Sequence, residues 1–469
     1  MIKKINHNKF QLTIFISIIF FGFFFRYLNN FDQIFWQDEL YTLFITDPSI
    51  PFYDFINRHK NIDESPVLYF LILRIYNYFI YSSEGIRFSS VIFSILAVLI
   101  SFKFFRIFFR NQNSLYCLAL VSFNIFLIWQ SKEARIQSLV SFVGLLNILV
   151  FYKYTIIDNF KNRLILFIIN LFSLSIYPFL LMIVLSQIIY ILLNKRIRLK
   201  SFFFILLLTF GFYFLINYDY ILLKTGKTHL YPLEVTFFIN YFFRSFFGSI
   251  IFGGISLILF ALGLFYLIKD KKNDFIIFNL YLVIISYSFA IFYTFFKGGG
   301  VIAPRYFIFL IPSIIVIITQ LLNKKKFIRI KYIYLILTIL NSLLLFDSFK
   351  IQKPKLSFLM SNLDENVTRY YFTNEGNHTT FTGKNYQDVY DYYFIKSSIL
   401  KRKFIRVDKK LINNYKKIYH ICLNYAEMNI GFDRSKQKPT KCDYQIPNFN
   451  ILEEKEIKNF RITLYEKGH

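Results

Sequence analysis

Three stretches of this 469-residue chain hold residue types that can do chemistry. The first is Trp36-Gln37-Asp38-Glu39, two adjacent carboxylates directly after an apolar run. Carboxylates at a low-dielectric boundary are costly to keep ionised without a partner, so Asp38 and Glu39 are candidates for proton transfer; a solvated loop pair is the plain alternative. His59, Asp63 and Glu64 follow, just before Pro66. They are donor types that could hold a divalent metal ion or bind a hydroxyl, while an ordinary loop histidine explains His59 alone. The second stretch, Gln130-Ser131-Lys132-Glu133-Ala134-Arg135, packs charges between two apolar runs. A cation there suits an anionic phosphate, which arginine grips with a planar fork, though helix capping by a Lys–Glu pair would also account for it. The third runs from Lys297 through Gly298-Gly299-Gly300 to Arg305-Tyr306. Its glycines permit a tight loop but match no phosphate-loop spacing, and a flexible turn with a snorkelling arginine is the competing reading.

The elements that must position these residues are membrane helices. The chain is 55% hydrophobic and 21% aromatic. Runs such as 14–25, 202–216 and 250–268 approach or reach the length needed to cross about 30 Å of hydrocarbon at about 1.5 Å per residue. Backbone polar groups in lipid must be satisfied within the segment, so these runs are helices. The basic start and apolar stretch of residues 1–25 lack a small-residue cleavage site, which reads as a retained first span.

The net charge of +27 does not signal a nucleic-acid partner. Much of it lies in short loops between apolar runs, where cytoplasmic loops collect Lys and Arg. Six clusters stand out, near Lys3, Lys103, Lys153, Lys195, Lys269 and Lys324. Placing all six in the cytoplasm requires an even number of crossings between neighbours. That rule decides the status of 67–80, a run of about 14 residues interrupted by Arg74 and Asn77. Counted as a span it would put two clusters outside, so it reads as an amphipathic helix at the outer interface.

The expected spans are 10–28, 88–105, 114–130, 136–152, 164–177, 178–193, 201–217, 246–268, 275–296, 305–322 and 332–348. Pro178 divides what would otherwise be one run of about 30 residues. The fold class is therefore an α-helical polytopic membrane protein with about eleven transmembrane helices, a cytoplasmic N-terminus and interfacial helices in the first external loop. Two domains follow: membrane-embedded residues 1–348, and a small extracytoplasmic mixed α/β domain over 349–469. The external face then holds loop 29–65, the turn 131–135, loop 218–245, the turn 297–305 and the tail. Of three cysteines, Cys117 lies in an apolar run; Cys422 and Cys442 lie in the tail, where an oxidising compartment would leave a disulfide open to them.

Taken in order, several of these elements resemble a known family. Asp38-Glu39 after the first helix, Ser65-Pro66-Val67-Leu68-Tyr69-Phe70, Ser83-Glu84-Gly85-Ile86-Arg87-Phe88-Ser89-Ser90, Ser131-Lys132-Glu133-Ala134-Arg135, and Arg305-Tyr306 followed by Pro312 are similar to the GT-C superfamily. The nearest branch is the protein O-mannosyltransferase and lipid A aminoarabinose transferase-like group, and the resemblance covers about residues 1–320. It implies a polyprenyl-phosphate sugar donor, an envelope acceptor hydroxyl and an inverting transfer in the inner (plasma) membrane. Carried over, Asp38 is the general base with Glu39 in support, and Arg135, Arg305 and Lys297 bind the donor phosphate. His59, Asp63, Glu64, Glu133 and Tyr306 are contacts for acceptor, sugar or a divalent metal ion. Glu64 stands where many relatives have His, and Gln137 where many have Tyr. These departures leave the sugar and the use of a metal open, as they leave the oligomeric state.

The competing class is a transporter or flippase of lipid-linked sugars. It calls for charges buried mid-helix and pseudo-symmetric halves. The sequence shows few such charges and no internal repeat.

Overall fold

The computed structural model describes residues 2–28, 37–63, 65–80, 83–193, 199–217, 244–269, 274–297, 304–346, 369–373, 405–406, 409–423, 446–457 and 460–468. Glu64, most of loop 218–245, the glycines 298–300 and Cys442 lie outside this set. By contacts the chain divides into two compact units. The first comprises Met1–Asn30, Glu64–Tyr76 and Glu84–Phe349; the second comprises Phe31–Asp63, Asn77–Ser83 and Lys350–His469.

The first unit is an α-helical membrane bundle. In chain order it contains α1 (Ile2–Tyr27), α4 (Leu68–Asn77), α5 (Ser83–Phe108), α6 (Asn111–Ser122), α7 (Ile125–Ser131), α8 (Gln137–Ile156) and α9 (Phe160–Ile176). There follow α10 (Leu181–Leu193), α11 (Leu199–Ile216), α12 (Arg244–Phe247), α13 (Ile250–Lys269), α14 (Asp274–Lys297), α15 (Ile311–Leu322) and α16 (Ile328–Leu345). Among the described residues eight helices are long and apolar enough to cross a membrane, or nine crossings if the bent pair α6–α7 is one span. The 17-residue α9 and the shorter Pro178–Leu193 complete the eleven expected segments. Helix α4 is only 10 residues, about half the length a crossing needs, in keeping with an interfacial rather than a spanning role for 67–80.

Local chemistry explains the breaks. Tyr177 precedes Pro178 and is extended (φ −153°, ψ 116°), as the proline ring requires of its neighbour; a 3-10 turn, Pro178–Leu180, then opens α10. The expected span 114–130 is instead bent by 54° between α6 and α7. Asn124 makes the second start, its side chain accepting from Leu127 N at 3.0 Å. The expected span 246–268 begins as the short α12, then turns at Gly248, whose φ of +88° favours glycine.

Helix α15 is the centre of the bundle, with Ile311–Thr319, Leu321 and Leu322 all buried. Gly263 of α13 abuts it so closely that an added Cβ would lie 2.8 Å from Ile317 O. Outer faces carry the large exposed hydrophobics, such as Leu207 and Leu215 on α11 and Ile251 on α13, as lipid contact requires.

The second unit contains α2 (Gln37–Ile45), α3 (Phe52–Ile62) and a five-stranded sheet. Its strands are β1 (Arg369–Thr373), β2 (Ile405–Arg406), β3 (Lys417–Leu423), β4 (Phe449–Ile457) and β5 (Phe460–Lys467). Their order is β2-β1-β3-β5-β4; β1 runs parallel to β2 and β3, and β5 antiparallel to β3 and β4. Ile412, Ile418, Ile446, Phe449 and Tyr465 form its small core. Helix α3 is amphipathic, burying Phe55 and His59 one turn apart while exposing Phe52 and Tyr53.

Candidate active site

Arg135 sits in the turn between α7 and α8. Ser131 closes α7, donating to Ile128 O at 2.7 Å, and the Arg135 amide donates to Glu133 O at 2.8 Å. Lys132, Glu133 and Ala134 are buried, and Arg135 is half-buried. Lys132 is held back against the bundle: its Nζ donates to Leu28 O at 2.9 Å and lies 3.6 Å from the centre of the Phe346 ring. Of the turn's two cations, Arg135 is the more exposed.

Arg305 opens the 3-10 turn Pro304–Leu310 that leads into α15. It is half-buried, with its guanidinium carbon 5.8 Å from the Tyr306 ring centre. Tyr306 in turn stacks on Phe179, with centroids 5.0 Å apart and planes at 14°, beside Tyr177 at 6.3 Å. Lys297 ends α14, and its side chain lies outside the described residues.

The turn Pro304–Leu310 packs on α8. A Cβ added to Gly144 would come within 3.0 Å of Phe309 Cβ, so the two backbones meet closely there. Gly144 is seven residues into α8 from Gln137, about 10 Å of helix; Phe309 is four residues past Arg305, about 8 Å at a 3-10 rise. Arg135 lies just before α8 in the chain, and Arg305 lies in the turn that packs on α8.

Asp38, Glu39 and Asp63 belong to the second unit, Glu133 to the first. Asp38 is the second residue of α2, with its side chain outside the described residues, and Glu39 is fully buried. His59 is buried in the last turn of α3, and its carbonyl accepts from the half-buried Asp63 at 3.0 Å. Arg58 clamps the two helices together, donating to Phe44 O at 2.9 Å with its guanidinium 4.0 Å over the Phe44 ring. Asp47 accepts from Ser49 N at 2.9 Å and Ser49 Oγ at 2.6 Å, fixing the turn between them. Asn77 donates to Thr46 O and Oγ1 at 3.1 and 2.9 Å. Among the described residues no group of three or more His, Cys, Asp or Glu is placed to hold a metal ion.

Sequence reasoning passed over Arg26. It is fully buried at the end of α1, and every hydrogen-bond partner it has among the described residues is a neutral oxygen. An arginine in lipid costs about 3 kcal/mol at a span centre, so one inside an apolar run marks a special site by default. The lone Arg in the run Phe23–Tyr27 was the available signal.

No family model and no curated protein matches the sequence. Among solved structures the chain is similar to the crystal structure of ArnT from Cupriavidus metallidurans bound to undecaprenyl phosphate, with a TM-score of 0.58 at 9% identity over 97% of both chains. The chain thus shares the fold of that structure over 97% of its length.

Proposed function

We propose that this chain is a membrane glycosyltransferase that moves a sugar from a polyprenyl-phosphate carrier to a hydroxyl of an envelope acceptor. The carrying observation is the end-to-end likeness to a GT-C-like structure determined with undecaprenyl phosphate bound. The close packing of the Arg305-bearing turn on α8, which follows Arg135, adds support, since a phosphate leaving group needs cations beside it.

In this reading Asp38 takes the proton from the acceptor hydroxyl, with Glu39 in support. The acceptor oxygen attacks the anomeric carbon from the face opposite the phosphate and inverts it. The bond from that carbon to the phosphate oxygen breaks, and its electron pair leaves with the lipid phosphate. Arg135, Arg305 and Lys297 hold that growing charge. His59, Asp63, Glu64, Glu133 and Tyr306 contact sugar or acceptor. The proposal includes a transferase domain over 1–348, an extracytoplasmic domain over 349–469, a cytoplasmic N-terminus and residence in the plasma (inner) membrane.

The test is sugar transfer by purified Asp38→Asn, which keeps shape and removes the base. Loss of turnover with retained lipid-phosphate binding is expected; wild-type turnover would strip Asp38 of its role.

A further inference from the structure

The break between α6 and α7 poses a problem of its own. A helix that ends leaves its last carbonyls without partners, and at membrane depth there is little water to take them. Here three carbonyls at the break receive side chains from other helices. Arg26 Nη1 donates to Ser122 O at 2.8 Å and Nη2 to Val121 O at 3.5 Å. Ser342 Oγ of α16 donates to Phe123 O. Arg26 is itself fixed: Nη1 also donates to Gly22 O at 2.8 Å, and Nε to Ser94 Oγ of α5 at 2.8 Å. Gly22 lets α1 approach α6 this closely, since a Cβ there would lie 3.3 Å from Ser122 Cβ.

Two residues farther along α1, Leu28 O receives Lys132 Nζ from the far end of α7. The end of α1 therefore holds both sides of this segment: the end of α6 through Arg26, and the residue after α7 through Leu28. Helix α7 has only seven residues, and the turn it leads into presents Arg135. Asn124 adds a lateral tie, donating to Phe246 O at 2.9 Å.

The geometry points to Arg26 as a positioning residue for donor phosphate: from inside the first span it caps the end of α6, sets the angle of α7 and so fixes where Arg135 stands. This rests on the proposed donor role of Arg135. Arginine suits the task because one rigid fork reaches carbonyls on two helices and a hydroxyl on a third, which a lysine point charge cannot do.

The experiment uses the full-length protein in detergent, as wild type, Arg26→Lys, Arg26→Gln, Ser94→Ala and Arg135→Gln. It reads amide hydrogen exchange and the affinity for undecaprenyl phosphate. Both Arg26 variants are expected to speed exchange over 121–135 while leaving α15 protected, and to weaken undecaprenyl phosphate about tenfold or more, as small misplacements do. Ser94→Ala, which frees only Nε, is expected to do the same more weakly, and it carries the test if Arg26→Gln fails to fold. Unchanged exchange over 121–135 overturns the proposal. So does faster exchange with undecaprenyl phosphate affinity intact, which would leave Arg26 a purely structural cap. Arg135→Gln separates the two readings: if it binds undecaprenyl phosphate like wild type, the donor role of Arg135 fails, and the positioning role with it.

Discussion

Gln187 Nε2 donates to Asn147 Oδ1 at 2.6 Å, joining α10 to α8 inside the bundle. Asn147 passes the connection on, donating to Asn170 Oδ1 at 3.0 Å and Ser173 Oγ at 2.8 Å on α9. Asn170 Nδ2 returns to Gln187 Oε1 at 3.2 Å. All four side chains are fully buried, and each donor has an acceptor. In lipid the hydrophobic effect does not draw helices together, so such bonds contribute to their association. Asn147→Ala and Gln187→Ala should each lower stability by about 1–2 kcal/mol, and their double-mutant cycle should show coupling of about 1 kcal/mol. Thermal unfolding in detergent measures this; additive effects would mean the two amides do not cooperate.

The two arginines beside α8 should matter for the donor far more than for folding. Arg135→Gln and Arg305→Gln are each expected to cut kcat/KM for the lipid donor by about 100-fold, the scale for losing one charge-stabilising donor. Lysine at either position should fall between, because it keeps the charge and loses the fork. Normal kinetics in both glutamine variants would remove the donor phosphate from both arginines.

Gly144 is where α8 meets the turn that carries Arg305. Beyond Phe309 Cβ at 3.0 Å, an added Cβ would meet Leu180 Cδ2 at 3.3 Å and Ile183 Cδ1 at 3.4 Å. Gly144→Val must push α8 away from Pro304–Leu310, costing about 1–3 kcal/mol as overpacking does. Its signature should be a donor KM raised together with lowered thermal stability. Gly211, with nothing within 4 Å of its Cβ position, is the control: Gly211→Val should leave both readings near wild type.

His420 gives the tail sheet a pH dependence. It is buried in β3, and burial first, then the nearby Arg461, push its pKa down from the ordinary 6.5 to about 4. The unfolded chain takes up a proton near pH 6.5, whereas the folded sheet resists until about 4. Stability is therefore full above about pH 6.5, declines as pH falls toward 4, and levels off below, with a total loss of up to about 3 kcal/mol. His420→Asn should flatten this profile when unfolding of the tail is followed by tyrosine fluorescence across that range. A variant as acid-sensitive as wild type would assign the effect to another group.

The spanning helices were legible because hydrophobic run length is a local property, and the Pro178 break because proline acts on its own neighbour. The bend at Phe123–Asn124 was not legible. No proline or glycine marks it; Arg26, Ser342 and Phe246, far off in sequence, stabilise it instead. Arg26 itself read as one charge at the end of a span, since the carbonyls it serves lie 95 and 96 residues away. Of the site, the cation-bearing turns could be read from charge where charge is unwelcome. The grouping of 31–63 with the tail could not, because it joins the two ends of the chain.

That grouping bears on how the protein can be altered. Asp38 is carried in the same compact body as Lys350–His469. The last hundred or so residues are therefore grouped with the first loop and are no detachable appendage to the bundle. Grafting a relative's tail onto this bundle would mean grafting its first loop as well.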